Sequence, residues 1–264
     1  MKFARRYLLG LSLAFLFAAC GTPEPGNSGD STTTLTVSAA ASLQDAIAAV
    51  GEEYEAQFPN TDLIFNFGSS GSLQHQIEQG APTDVFISAA KSKMEALREK
   101  ELIVEETHQD LLQNKIVVIA PKNTENISKL QELTTNKFTN IALGAPESSP
   151  AGRYSKEVLD STALYEKLTD KFIFAKDVRQ VLSYVETGNV DAGFLYTTDA
   201  KLCKNCQVIF VAPEDSHSSI VYPIAAINGS NNLDAAQQFI EFLATEPAKV
   251  IFEEYGFVGI ASDK

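Results

Sequence analysis

The chain has 264 residues and a formal net charge of −13 at pH 7, with 34 acidic residues against 21 basic ones. Nucleic-acid binding depends on clustered Lys and Arg, so this balance argues against a nucleic acid as partner. Hydrophobic residues make up 44% of the chain, which is enough for two modest lobes or one large domain.

The first segment has the pattern of an export signal. Three basic residues stand within the first six positions, and an apolar stretch follows from Leu8 to Ala19. This stretch is shorter than the roughly 20 apolar residues of a membrane-spanning helix, so residues 1–19 are predicted to be a cleavable signal peptide. The sequence LFAACG at 16–21 resembles the lipobox of bacterial lipoproteins, in which Cys20 would receive the lipid. A plain signal peptide cut nearby is the alternative.

Residues 20–33 are predicted to form a lipid-anchored flexible tether. The segment is rich in Pro, Gly, Ser and Thr and has no apolar periodicity, a composition typical of flexible linkers. The folded part of the chain is therefore expected to begin at residue 34.

Short strand-like runs alternate with helical patterns in the rest of the chain. Several runs are almost wholly apolar, which is typical of strands buried on both faces of a parallel sheet. The alternation predicts a doubly wound α/β architecture. The predicted strands are residues 35–38, 63–67, 85–88, 116–120, 141–144, 172–174, 192–196, 208–212 and 221–227.

Four predicted strands lead directly into a helix start. Ser42, followed three residues later by Asp45, has the pattern of a capping box. A small-residue turn at 68–72 opens a second helix, Pro150 suits the first position of a third, and Asp177 is expected to cap a fourth. Helix starts have free N–H groups and a positive dipole, so several that converge could bind an oxyanion without Lys or Arg. Taken singly, each is also an ordinary structural cap.

The other chemically reactive side chains predict no enzyme. Cys203 and Cys206 in an exported protein predict a small structural disulfide, with a thiol redox motif as the alternative. The three histidines lack metal-ligand spacing, so no metal cation site is predicted. Ser216-His217 beside Asp215 lacks the strand-to-helix elbow of a hydrolase nucleophile.

Nine segments then follow one another in a recognisable order from Leu35 onward. They are AAASL at 39–43, FGSSGSLQHQIE at 67–78, GAPTDVFISA at 80–89, PAGRY at 150–154, DVR at 177–179, GFLYTTDA at 193–200, PEDSH at 213–217, YP at 222–223 and YGF at 255–257. As an ordered set they resemble the molybdate-binding proteins of bacterial ABC importers.

The resemblance implies a two-lobed type II periplasmic-binding-protein fold with the ligand in a cleft between the lobes. Lobe 1 would be discontinuous and comprise residues 34–119 and 225–264, and lobe 2 would comprise residues 120–224. The chain is expected to cross between the lobes near residues 118–122 and 223–226.

The resemblance also implies the ligand set. Ser42 and Ser70 would bind an oxyanion through hydroxyl and backbone N–H, Ala151 and Val178 through backbone N–H alone, and Tyr196 through its hydroxyl. The implied ligand is molybdate or tungstate, with no cofactor and no metal cation. Sulfate or another tetrahedral oxyanion is the alternative, whereas ferric iron would want adjacent tyrosines and carboxylates.

The implied role is capture outside the cytoplasm and delivery to the membrane permease of an ABC importer. The protein would be a monomer, lipid-anchored at the outer face of the cytoplasmic membrane or in the periplasm. Arg153 bears on selectivity, because an apolar residue is common at this position in the family and its charge could reach the anion. Asp84 is expected to order a turn near the cleft, since a carboxylate would repel an anion.

Overall fold

The computed structural model describes residues 32–260, so the predicted signal peptide, Cys20 and most of the predicted tether lie outside the described residues. The described residues belong to one compact unit. Within the described range, the helices are too short or too polar to cross a membrane.

The strands of the described residues agree with the predicted runs and add two short ones, β4 and β11. They are β1 Thr33–Ala40, β2 Thr61–Gly68, β3 Val85–Ile87, β4 Gln109–Gln113, β5 Ile116–Pro121, β6 Ile141–Gly144, β7 Phe172–Ala175, β8 Ala192–Tyr196, β9 Cys206–Val211, β10 Val221–Ala226 and β11 Val258–Gly259.

Helices connect most of these strands. They are α1 Gln44–Gln57, α2 Ser70–Glu78, α3 Lys91–Arg98, α4 Pro150–Asp160, α5 Tyr165–Leu168, α6 Val178–Glu186, α7 Thr197–Leu202, α8 Leu233–Leu243 and α9 Glu246–Glu254. The described residues also contain short 3₁₀ turns. They are Ala41–Leu43, Glu105–Thr107, Leu130–Thr134, Thr169–Lys171 and Glu214–Ser216.

The strands form two mixed sheets. The first has the order β11-β4-β10-β3-β1-β2 and the second the order β7-β6-β8-β5-β9. In the first sheet β1 pairs in parallel with β2 and β3, and in the second β6 pairs in parallel with β7 and β8. The carboxyl ends of parallel strands lie at one edge of a sheet, where α/β proteins bind ligands.

The chain passes between the sheets slightly earlier than predicted. Residues 114–115 join β4 to β5, which pairs with β8 from Ile116 onward. The chain returns between β9 and β10, and β10 pairs with β4 from Val221 onward. The wholly buried run at the start of β5 makes it an interior strand of the second sheet. Residues 116–119 therefore belong to the second sheet and 221–224 to the first, although the predicted lobe boundaries placed them the other way.

The C-terminal helices complete the first lobe. Tyr54 of α1 is fully buried, and its ring packs edge-on against Phe239 and Phe242 of α8 at centroid distances of 5.0 and 5.3 Å. Aromatic rings in this geometry contribute beyond the area that they bury. The last helices of the chain thus stabilise the lobe that the first strands begin.

In the structure, Cys203 and Cys206 form a disulfide that closes the turn between α7 and β9. A structural role agrees with this position, because the pair follows a helix and precedes a strand. A thioredoxin-like redox motif has the opposite arrangement.

Candidate functional site

The carboxyl-terminal strand ends of both sheets line one cavity of about 20 Å³. One ordered water needs roughly 10–15 Å³ by this kind of measure, and drug-sized ligands occupy roughly 300–1,000 Å³. The cavity therefore fits a single compact group. Its lining residues are Ala40, Ala41, Ser42, Gly68, Ser69, Ser70, Ala89, Ser149, Pro150, Ala151, Asp177, Val178 and Tyr196.

All five residues predicted to bind the oxyanion line this cavity. Ser42 and Ser70 come from the first lobe, and Ala151, Val178 and Tyr196 come from the second. The structure thus brings the five together, and their role as ligands stays a prediction.

The predicted capping box at Ser42 is wrong. Ser42 lies in the 3₁₀ turn Ala41–Leu43, and the N-cap position of α1 is Leu43, whose side chain makes no capping bond. The Ser42 hydroxyl instead lies 2.9 Å from the Tyr222 hydroxyl. Asp45, the expected box partner, pairs with Arg179. The extra turn between strand and helix frees the Ser42 side chain for the cavity.

Ser70 is the first residue of α2, and Ser69 is its cap. The Ser69 hydroxyl accepts a hydrogen bond from the Ser72 N–H at 3.4 Å. The Ser70 hydroxyl oxygen accepts one from the Ala89 N–H at 2.9 Å. Because its oxygen already accepts a bond, the Ser70 O–H is left to donate towards the cavity.

The helix starts of the second lobe are confirmed. Pro150 is the first residue of α4, and the Ser149 hydroxyl caps it by accepting from the Gly152 N–H at 3.3 Å. Asp177 caps α6 by accepting from the Gln180 N–H at 3.0 Å. Ala151 and Val178 therefore lie in first turns, where an N–H has no helical acceptor. Their N–H groups supply donors that residue type alone does not reveal.

Tyr196 ends β8 and is 1% exposed. Its hydroxyl has no hydrogen-bond partner among the described residues. Burial raises the pKa of this phenol well above 10.0, so it stays protonated and can donate. Buried hydroxyls are almost always hydrogen-bonded, and this exception lines the cavity. The Tyr196 hydroxyl is therefore a donor that is available to an acceptor in the cavity.

The residues that line the cavity include no Lys, Arg or His. Their one carboxylate, Asp177, is occupied with the α6 cap. The lining itself therefore attracts an anion through helix dipoles and oriented N–H and O–H groups, while the charges of Arg179 and Arg153 act from outside the lining. Across the described residues, no group of His, Cys, Asp and Glu is arranged to hold a metal ion.

Two sets of contacts join the lobes beside the cavity. Arg179 of α6 donates from Nε to the Ala41 carbonyl at 3.1 Å and places Nη1 2.6 Å from the Asp45 carboxylate. The Gly71 N–H of the first lobe also donates to the Ser148 carbonyl of the second at 3.0 Å. These contacts hold the two lobes together beside the cavity.

The guanidinium of Arg179 also approaches a buried carboxylate in its own lobe. Asp199 is fully buried, with Oδ1 3.0 Å from Arg179 Nε. Burial raises the pKa of this carboxyl to about 7, against the opposing effect of Arg179. The sequence alone assigned no role to Arg179, Asp199 or Gly71. The available signal was that Gly71 and Arg179 each directly follow a residue predicted to bind the anion, Ser70 and Val178.

Arg153 and Asp84 are engaged outside the cavity lining. Arg153 Nη1 pairs with Glu157 at 2.6 Å, and its guanidinium lies 4.3 Å from the centre of the Tyr154 ring. Asp84 accepts a hydrogen bond from the Thr36 N–H at 2.7 Å. Arg153 Nε has no hydrogen-bond partner among the described residues, and the Arg153 charge opposes the rise in the pKa of Tyr196, so this residue acts on the cavity from outside its lining. Asp84 orders β1.

The chain matches the family described as bacterial extracellular solute-binding protein over residues 35–258. A Bacillus subtilis protein provisionally named an ABC transporter substrate-binding lipoprotein is 41% identical, over 95% of this chain and 96% of that protein. The molybdate-binding protein ModA of Haemophilus influenzae is 38% identical, over 84% of this chain and 89% of that one.

A solved structure supports the same fold. The periplasmic molybdate-binding protein of Azotobacter vinelandii superposes with a TM-score of 0.77 at 24% identity, over 85% of this chain and 98% of that one. The architecture is the two-lobed type II periplasmic-binding-protein fold, with the cavity at the strand ends between the lobes. The chain belongs to the bacterial extracellular solute-binding protein family.

Proposed function

We propose that this protein captures molybdate or tungstate in the cleft and delivers it to the membrane permease of an ABC importer. The observation that carries the proposal is the buried Tyr196 hydroxyl, which has no partner among the described residues and lines a cavity without cations. A tetrahedral dianion offers only acceptors at neutral pH, so a lining of N–H and O–H donors complements it. The Haemophilus influenzae relative is named for molybdate binding.

The two lobes supply donors from opposite sides. Ser42 and Ser70 would bind the anion from the first lobe, while the N–H groups of Ala151 and Val178 and the Tyr196 hydroxyl bind it from the second. A hinge motion of the lobes would surround the ligand. Binding occurs without a cofactor and without chemical change, so the protein acts as a carrier.

Calorimetric titration of the purified protein with molybdate, tungstate, sulfate and phosphate tests this proposal. Molybdate and tungstate should bind tightly with one site per chain, and sulfate and phosphate should bind much more weakly. Sulfate binding as tightly as molybdate would overturn the assignment of the ligand. The same preparation, run on a calibrated sizing column, tests the proposed monomer.

The proposed lipid anchor at Cys20 is independent of the binding site. The Bacillus subtilis relative has lipoprotein in its provisional name, and Cys20 directly follows the apolar stretch. The wild-type chain should incorporate labelled fatty acid and sediment with membranes in a bacterial host, whereas Cys20→Ala should do neither. Equal labelling of both proteins would contradict the anchor.

A further inference from the structure

The Tyr222 hydroxyl lies behind Ser42 and outside the lining of the cavity. Tyr222 belongs to β10 and is fully buried. Its hydroxyl lies 2.9 Å from the Ser42 hydroxyl and 3.2 Å from Asn114 Nδ2. Three polar groups therefore form a chain that leads from the crossing between the sheets to the cavity.

The Asn114 side chain sets the direction of this chain. Its Oδ1 accepts a hydrogen bond from the Lys115 backbone N–H at 2.9 Å, and a backbone N–H can only donate. The amide nitrogen must then face the other way, where it donates to the Tyr222 hydroxyl and, at 2.9 Å, to the Thr198 hydroxyl. The orientation of the amide is thus fixed by its surroundings.

With its oxygen accepting from Asn114, the Tyr222 hydroxyl has its proton free to donate. Burial raises the pKa of this phenol, so the proton is retained. Among the described residues the acceptor in reach is the Ser42 hydroxyl. If Ser42 donated instead, the Tyr222 proton would be buried without an acceptor, which costs free energy. Ser42 therefore accepts from Tyr222 and must send its own proton elsewhere.

We propose that Tyr222 is a positioning residue that makes Ser42 an obligate donor to the bound anion and so contributes to the selection of fully deprotonated oxyanions. The inference rests on the proposed function. The Ala89 N–H has the same effect on Ser70, because it donates to the Ser70 oxygen and leaves the Ser70 proton to be donated elsewhere. An anion that presents its own O–H to Ser42 meets a proton directed at the cavity and a single remaining lone pair, which is a poorer acceptor than a hydroxyl free to rotate. Without Tyr222, the Ser42 hydroxyl could rotate and accept that proton.

A double-mutant cycle tests whether Tyr222 acts through Ser42. Tyr222→Phe removes the hydroxyl that orients Ser42 and should weaken molybdate binding about tenfold in an otherwise wild-type protein. In a Ser42→Ala background the same change should have almost no effect, since no hydroxyl remains to be oriented. Additive effects of the two changes would overturn the inference. Asn114→Ala removes the donor that orients the Tyr222 hydroxyl. Its effect on molybdate affinity should likewise disappear in the Ser42→Ala background.

Selectivity provides a second readout. Competition of hydrogen phosphate against molybdate gives the ratio of their dissociation constants, and Tyr222→Phe should narrow that ratio by about tenfold. Equal loss of affinity for both anions would indicate a structural role only and would overturn the inference. Tyr54→Phe is the matched control, because Tyr54 is equally buried and its hydroxyl donates to Gln238 at 3.1 Å. Neither residue belongs to the lining of the cavity.

The two proposals fail in distinguishable ways. A wild-type protein that binds neither molybdate nor tungstate refutes the proposed function. A wild-type protein that binds molybdate, together with a Tyr222→Phe variant of unchanged affinity and selectivity, refutes only the positioning role of Tyr222.

Discussion

The Gly71 N–H of the first lobe donates to the Ser148 carbonyl of the second at 3.0 Å and so joins the two lobes. A Cβ at position 71 would overlap that carbonyl oxygen and lie 2.9 Å from the Ser148 Cα. Both obstructing atoms are backbone and cannot move aside as a side chain would. Glycine at this position is therefore what lets the lobes approach each other.

Gly71→Ala should hold the lobes apart and weaken molybdate binding by about 1–3 kcal/mol, the usual cost of overpacking. Titration calorimetry measures the loss, and small-angle scattering should show a smaller ligand-induced contraction. Gly259→Ala is the control, since a Cβ there meets nothing within 4 Å. Full contraction and affinity in Gly71→Ala would show that the cleft tolerates a side chain at this point.

Removing the Tyr196 hydroxyl should lower the affinity for molybdate without lowering the free energy of unfolding. Tyr196→Phe should weaken molybdate binding by about 1.5–3 kcal/mol, the value of a hydrogen bond to a charged group. The free energy of unfolding without ligand should not fall, because this hydroxyl bonds to none of the described residues. Ser42→Ala should weaken binding by a similar amount. Unchanged affinity in both variants would mean that the anion binds elsewhere.

The ion pair between the lobes should make a small, salt-sensitive contribution to affinity. Asp45 pairs with Arg179 at 2.6 Å, and the two side chains are 43% and 22% exposed, so water and salt reach the pair. Ion pairs accessible to solvent contribute roughly 0.2–1 kcal/mol. Asp45→Asn should lower molybdate affinity within that range at low ionic strength, and the difference should shrink in high salt. Asp160→Asn, which breaks a surface pair with Lys156 inside α4, should not change affinity.

Asp199 should make the protein lose stability as the pH rises from about 4 to about 7. Burial raises the pKa of its carboxyl from 3.8 to about 7 in the folded protein, with Asp177 and Asp45 adding to the shift and Arg179 opposing it. In this interval the folded state holds a proton that the unfolded state has released. The resulting stabilisation is fully present below the unfolded pKa and is lost as the pH passes the folded one.

Asp199→Asn is neutral at every pH and should remove this dependence. Thermal unfolding of both proteins at pH 5 and pH 8 should show the variant gaining stability relative to the wild type at the higher pH. Groups elsewhere titrate alike in both proteins, so their effects cancel in the comparison. A difference that is the same at both pH values would place the folded-state pKa of Asp199 near its ordinary value.

Replacing both Cys203 and Cys206 by Ser should leave molybdate affinity intact. The disulfide closes a loop of sequence separation 3 between α7 and β9, and closing so short a loop stabilises by about 2 kcal/mol at most in the chain-entropy model. The melting temperature should fall slightly while the calorimetric titration is unchanged. Loss of binding in the double variant would instead favour a role for the thiols.

Most of the architecture was predictable because its signals are local. The interior strands are short apolar runs such as residues 116–120 and 192–196, which need no long-range information to recognise. Pro150 and Asp177 mark helix starts by their own chemistry, and the structure confirms both. The convergence of five residues on one cavity followed from the family resemblance, since Ala151 and Val178 contribute only backbone.

The features that sequence did not predict depend on neighbours distant in the chain. β4 contains only two apolar residues, and it forms because β10 and β11 supply partners on both sides. The local sequence at Ser42 matches a capping box, but its hydroxyl instead forms a hydrogen bond with Tyr222, 180 positions away. The sequence around Arg179 is that of a surface residue. In the structure, Arg179 pairs with Asp45 and donates to the Ala41 carbonyl, both of which belong to the other lobe.

The Tyr196 hydroxyl also affects how often the lobes close without cargo. The cavity has room for one water when no anion is bound, and a hydrogen bond to that neutral acceptor is weaker than one to an anion by roughly 1 kcal/mol. This difference disfavours the closed form about fivefold without an anion. A permease that recognises the closed shape would therefore dock a loaded carrier more often than an empty one.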